Sequence, residues 1–160
     1  MKNRFKIVIS LFLLLFIMSS CQIHTDNYNR ALRFVEDKGY NMVSDGTKTP
    51  DYILTKDDLI KLPYMQYWGV QSVNPLDYTN KTIQTYRFIV TNHPLDTLIG
   101  NSIKQTVVFI MLCDNRVIGG YSIPNNSSVG SVYSIDGKTI EQLSGMQFKD
   151  WSSQWIKKYS

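Results

Sequence analysis

The chain has 160 residues, of which 43% are hydrophobic and 19% charged, and a formal net charge of +4. Lys2, Arg4 and Lys6 contribute three of its 17 basic residues against 13 acidic ones, so the chain beyond its first segment is close to neutral. That balance removes the electrostatic case for a nucleic-acid or other polyanionic partner.

The three basic residues precede an apolar run, Ile7 to Met18, interrupted only by Ser10. A membrane-spanning helix needs about 20 apolar residues, and Gln22, His24, Thr25 and Asp26 end this run too early. A basic head, a short apolar run and small residues before a cut site describe a cleavable secretory signal. Ser19 and Ser20 stand directly before Cys21, the arrangement that a lipoprotein signal peptidase cuts, with Met18 where leucine is commonest. Residues 1–20 are therefore expected to be a lipoprotein signal peptide. Cys21 is expected to carry a thioether-linked diacylglycerol with fatty chains such as palmitate, and 21–25 to form the lipidated tether. Two acyl chains at about 0.8 kcal/mol per buried methylene hold durably where one holds marginally. The expected location is extracytoplasmic, lipid-anchored to the cell membrane, with no cofactor beyond that lipid.

Residues 26–160 suffice for a single domain that buries about two thirds of its unfolded surface. Asp26 is a plausible N-cap for a helix ending near Lys38, with Gly39 just beyond it. Tyr28, Ala31, Leu32 and Val35 form its apolar stripe. A short strand is expected at Tyr40 to Val43, a loop from Ser44 to Asp51, and an extended piece at Tyr52 to Leu54. Thr55, Asp57 and Asp58 read as a helix start, and Pro63 as a break before a second helical segment reaching about Val73.

From Lys81 the pattern turns to β structure. Ile83 to Asn92 alternates Tyr86, Phe88 and Val90 onto one face, and Gln105 to Cys113 is the most apolar stretch, fit for a central strand. Asp114 and Asn115 should turn it into Arg116 to Ile123, making an antiparallel hairpin. Val129 to Ile135 is a weaker strand, Thr139 to Leu143 a helical turn, and Lys149 to Tyr159 an amphipathic helix. The expected fold is α+β: an antiparallel sheet of about three to five strands, with helices from the N- and C-terminal segments packed on one face.

The spacing of Tyr78, Lys81, Ile83, Tyr86, Phe88, Val90 and Asn92 follows Tyr67 and Gln71 on the upstream helix and precedes Val117, Ile118, Gly119 and Gly120. This pattern, together with the Gly39–Tyr40 step, resembles an uncharacterised domain of bacterial, largely Gram-positive, lipoproteins and secreted proteins. The resemblance covers roughly residues 39–123 and brings no activity with it. Asn80 stands where that pattern has glycine, a change tolerated because asparagine accepts positive φ. Tyr121 stands where it has an acidic residue.

Tyr64, Tyr67, Trp68 and Tyr78 concentrate aromatic surface around one helix and the following turn, and form the candidate binding surface. The bland alternative is that this side is the core face against the sheet. Trp151 and Trp155 with Lys157 and Lys158 suit either a membrane or partner contact or packing on the sheet. Gly119 and Gly120 lie inside a strand reading, so a bulge or a close backbone approach explains them better than a phosphate loop. Asp51, Asp57 and Asp58 lack the spacing of a calcium loop, and no metal site is expected. Cys113, within an apolar run, reads as a free core thiol. The only histidines are His24 and His93, and no catalytic set assembles from the spacing.

The chain thus reads as a cell-envelope lipoprotein, leaning non-enzymatic: a binding or structural accessory domain whose partners are the membrane, through its lipid, and an envelope protein or cell-wall component. The alternatives are an envelope hydrolase with a nonstandard site, for which a serine bonded to His93 would speak, and an inhibitor or immunity module docking by an exposed strand edge.

Overall fold

The computed structural model describes residues 26–98, 102–125 and 131–160. The expected signal peptide, Cys21 and the expected tether to residue 25, together with the first residues of the expected strand at 129, lie outside the described residues.

Helix α1 occupies residues 26–37. Gly39 ends it at φ +76°, with its N–H donating to the Glu36 carbonyl. Strand β1, Asn41–Lys48, runs through the segment expected as a loop. It does so because it is bulged: its register against the next long strand shifts between Met42 and Ser44 and again between Ser44 and Thr47. Two irregular steps erase the period-two alternation by which strands are recognised. Gly46 is required there, since a Cβ at that position would sit 2.1 Å from the Phe88 ring.

Strand β2 is Tyr52–Ile53. Thr55 then exchanges hydrogen bonds with Asp58 and opens a 3-10 turn at Asp57–Ile60. Helix α2, Tyr64–Gly69, is shorter than expected, and a second 3-10 turn, Pro75–Tyr78, is capped by the Asn74 side chain. Strands β3, Thr82–Thr91, β4, Thr106–Cys113, and β5, Arg116–Pro124, form the antiparallel meander. Asp114 and Asn115 both take positive φ, the twist that suits a two-residue hairpin. Strand β6 keeps only Tyr133–Ser134. Helices α3, Ile140–Ser144, and α4, Phe148–Tyr159, complete the chain; a reciprocal Thr139–Gln142 capping box starts α3.

The sheet is antiparallel in the order β1-β3-β4-β5-β6, with β2 beside the first residues of β3, six strands in all. The α+β class is therefore as expected, and the helices do pack on the sheet, but on opposite faces rather than one. Ala31 and Val35 of α1 pack with Tyr86, Phe88, Val90, Val108, Ile110 and Leu112. Leu59, α2, α3 and α4 pack with Ile83, Met111, Cys113 and Tyr121 on the other side. The reason lies in β4, where every residue except Phe109 is buried. A strand apolar on both faces needs cover on both.

Candidate functional site

The four aromatic residues singled out in the sequence separate into two pairs. Trp68 is 1% exposed and donates its indole N–H to the Tyr52 hydroxyl at 3.2 Å, so it belongs to the core and is withdrawn from the binding surface. Tyr78 leans on its ring at 5.6 Å. Tyr64 and Tyr67 remain half-buried, 6.1 Å apart, in a row the sequence did not disclose. Tyr52 adjoins Tyr64 at 4.8 Å, Tyr67 stacks on Tyr121 at 4.2 Å, and Tyr121 stacks on Phe109 at 4.7 Å. Burial, with Tyr67 beside it, pushes the Tyr121 phenol far above its ordinary range, and burial does the same to Tyr52. Both hydroxyls are neutral.

Gln71, at the exit of α2, ties this row to the sheet edge. Its amide nitrogen donates to the Tyr67 carbonyl at 2.6 Å, and its carbonyl oxygen accepts the Gly120 N–H at 2.9 Å. The two glycines make that contact sterically permissible. Gly119 lies at φ +146° where β5 slips register against β4, and a Cβ on it would lie 2.2 Å from the Gln71 oxygen. On Gly120 a Cβ would meet the Phe109 carbonyl at 2.5 Å. The bulge and the close approach expected of this pair are both present.

β6 pairs with β5 only at Tyr121 and Ser122. Beyond that point a cleft of about 500 Å³ continues alongside β5. Val70, Gly119, Gly120 and Ile135 are among the residues lining it, with Phe34 and Leu143 at the sides and Ser72, Lys138 and the ion pair Lys38–Asp136, at 2.7 Å, contributing polar groups. Such a cleft offers both apolar contact and hydrogen-bond donors and acceptors.

His93 does not meet a serine. Its Nδ1 accepts the Leu95 N–H, so the proton sits on Nε2, which donates to the Ile135 carbonyl at 3.0 Å. The Tyr40 hydroxyl donates to the same carbonyl at 2.8 Å, and the two rings are 4.6 Å apart. Burial lowers the His93 pKa and pushes the Tyr40 phenol up to about 12. The imidazole is thus a latch between the end of β3 and the turn after β6. Cys113 is a buried free thiol whose pKa burial raises, the opposite of nucleophile activation.

Asp58 is engaged by Thr55, Asp57 pairs with Lys61, and Asp51 pairs with Lys48. Among the described residues no group of three or more His, Cys, Asp or Glu side chains is placed to hold a metal ion. Trp151 packs edge-on against Gly69, and Trp155 donates to the Leu59 carbonyl at 2.7 Å, so both rings serve α4 packing. Among the described residues no helix is long and apolar enough to cross a membrane. The fold and cleft define an α+β protein with a six-stranded antiparallel sheet and a side groove; no protein-family model, curated protein or solved structure matches the chain.

Proposed function

We propose that this protein is a lipid-anchored binding module of the bacterial cell envelope, held outside the cytoplasmic membrane through diacylated Cys21, and that the cleft beside β5 is its binding site. The observation that carries the reading is the Gln71–Gly120 bond. A side-chain amide occupies the lane that β6 abandons, and the cleft extends along that lane with backbone edge, serines and charged side chains at hand. An extended peptide segment of an envelope protein or of the cell wall fits this chemistry, its amides meeting polar groups and its side chains the apolar lining. Tyr64 and Tyr67 lie on α2, the helix that leads into the wall of the cleft at Gly69 to Ser72.

Docking by the outer strand at the opposite edge is less favoured. β1 is eight residues long, but its two register shifts interrupt the ladder that an added strand would need. The test is site-specific photo-crosslinking in intact cells. A photoreactive residue at Ser72 and another at Lys138 should capture the same peptide-bearing partner, and Leu143→Glu should reduce the yield about tenfold at both positions, a loss typical of one truncated contact residue. Capture from Glu36, an exposed residue of α1, but not from the cleft would overturn the proposal. Metabolic labelling with palmitate, lost in Cys21→Ala, reports on the anchor.

A further inference from the structure

The tether length and the position of Asn27 orient the domain. Asn27 is 1% exposed, and its amide nitrogen donates to Gln84 and to Asn115, each at 2.8 Å. This ties the first turn of α1 to the end of the sheet where β3 begins and the β4–β5 turn lies. Fully extended, the five residues from Gln22 to Asp26 reach about 18 Å. A lipid on Cys21 therefore keeps that end of the sheet beside the bilayer.

That end is suited to a lipid surface. Ile53, opposite Thr82 in the register, is 59% exposed, and Leu76, in the turn before β3, is 43% exposed. Its acids are largely occupied: Asp26 pairs with Arg30, Asp51 with Lys48, and Asp114 with Lys81. Between α1 and the start of β5 lies a cleft of about 350 Å³ lined by Arg30, Arg33, Asn115 and Arg116, with Asp37 lining it one turn beyond Arg33. Arg33 and Arg116 are exposed and, among the described residues, form no ion pair. Two free guanidinium groups on facing elements make a fork suited to a phosphate.

We propose that the Arg33–Arg116 cleft binds the headgroup phosphate of an anionic phospholipid in the membrane that the Cys21 anchor enters, seating the sheet end with Ile53 and Leu76 on the bilayer. This rests on the anchored reading above. It adds a fixed orientation, in which the peptide cleft beside β5 is presented by a domain that stands on the membrane rather than swinging from its tether.

The experiment is hydrogen exchange on the full lipidated chain in vesicles of phosphatidylcholine, with and without phosphatidylglycerol. Anionic vesicles should slow exchange in 26–37 and 113–118 relative to neutral ones, by about fivefold per arginine engaged, and Arg33→Gln with Arg116→Gln should abolish that difference while leaving the melting temperature unchanged. Equal exchange in both vesicle types, or a difference that survives the double substitution, overturns the headgroup site. Inorganic phosphate giving the same protection on phosphatidylcholine vesicles also overturns it, in favour of a free-phosphate site. Palmitate labelling of the same sample separates the two readings: labelled protein without lipid-dependent protection refutes only the headgroup site, whereas unlabelled protein removes the anchor and this orientation together.

Discussion

The two faces of the sheet are covered in different ways. On one, a single helix of regular period lays Ala31 and Val35 over Tyr86, Phe88 and Val90, and polar bonds join it to the sheet only through Asn27 and Tyr28 in its first turn. On the other, a 3-10 turn and three helices, two of them short, share the work, and polar bonds between residues distant in sequence fasten the 3-10 turn, the exit of α2 and α4: Trp155 to Leu59, Gln71 to Gly120, Lys56 to Ser160. A regular helix is positioned by its stripe. Short helices have too few turns to be stable or oriented alone, so specific hydrogen bonds supplement their apolar contacts. The peptide cleft opens beside the second kind of cover, where the pieces leave gaps.

Deleting a large buried ring should break either face. Phe88→Ala on the α1 side and Trp68→Ala on the other should each cost about 3–5 kcal/mol in urea unfolding. Both side chains are 1% exposed or less. The comparison sharpens if Trp68→Ala also disturbs the Tyr52 environment, since it removes a hydrogen bond that Phe88 lacks. Equal and purely apolar losses would mean that the two faces are held in the same way.

Next in size is Gly119→Ala. It places a Cβ against Gln71 at a φ that side chains rarely adopt, and should cost about 1–3 kcal/mol by thermal or chemical denaturation. Combining it with Gln71→Ala should recover part of that loss, because the collision goes while the backbone strain stays. Full additivity of the two substitutions would mean that Gln71 does not pack on the bulge.

The smallest effect is a pH dependence centred on His93. Its folded pKa is lowered by burial, whereas the unfolded chain takes up the proton near pH 6.5. As pH falls below that value the unfolded state binds more protons, so stability declines from about pH 6.5 toward the lowered folded pKa and is undiminished above it. His93→Gln should flatten that part of the stability curve, and an unchanged slope between pH 7 and 5 would place the effect elsewhere.

Most element boundaries were readable from the chain because local chemistry set them. The α1 stripe, the Asp114–Asn115 turn, the helical turn from Thr139 and the alternation of β3 each involve residues within a few positions of one another. β1 was legible only at its first residues, since its bulges conceal the alternation beyond Val43. The candidate aromatic surface was half legible. Tyr64 and Tyr67 stay near the surface, but the burial of Trp68 depends on Tyr52 and Tyr78 closing over it. Nothing local pointed to the cleft, which needs Gln71, Gly120 and Ile135 to meet across long separations, although the Gly-Gly pair did announce a close approach.

By itself the sequence determined the α+β class, the three long strand segments with the β4–β5 hairpin, and the expectation of an anchor at Cys21, because periodicity, turn residues and leader-like patterning are short-range. Tertiary structure alone decided that the helices take opposite faces, that Trp68 is core, that His93 is a latch and that Arg33 and Arg116 line one cleft. Each of these depends on which distant surfaces share a common burial, and that is settled by packing the whole sheet at once rather than by any window of residues along it.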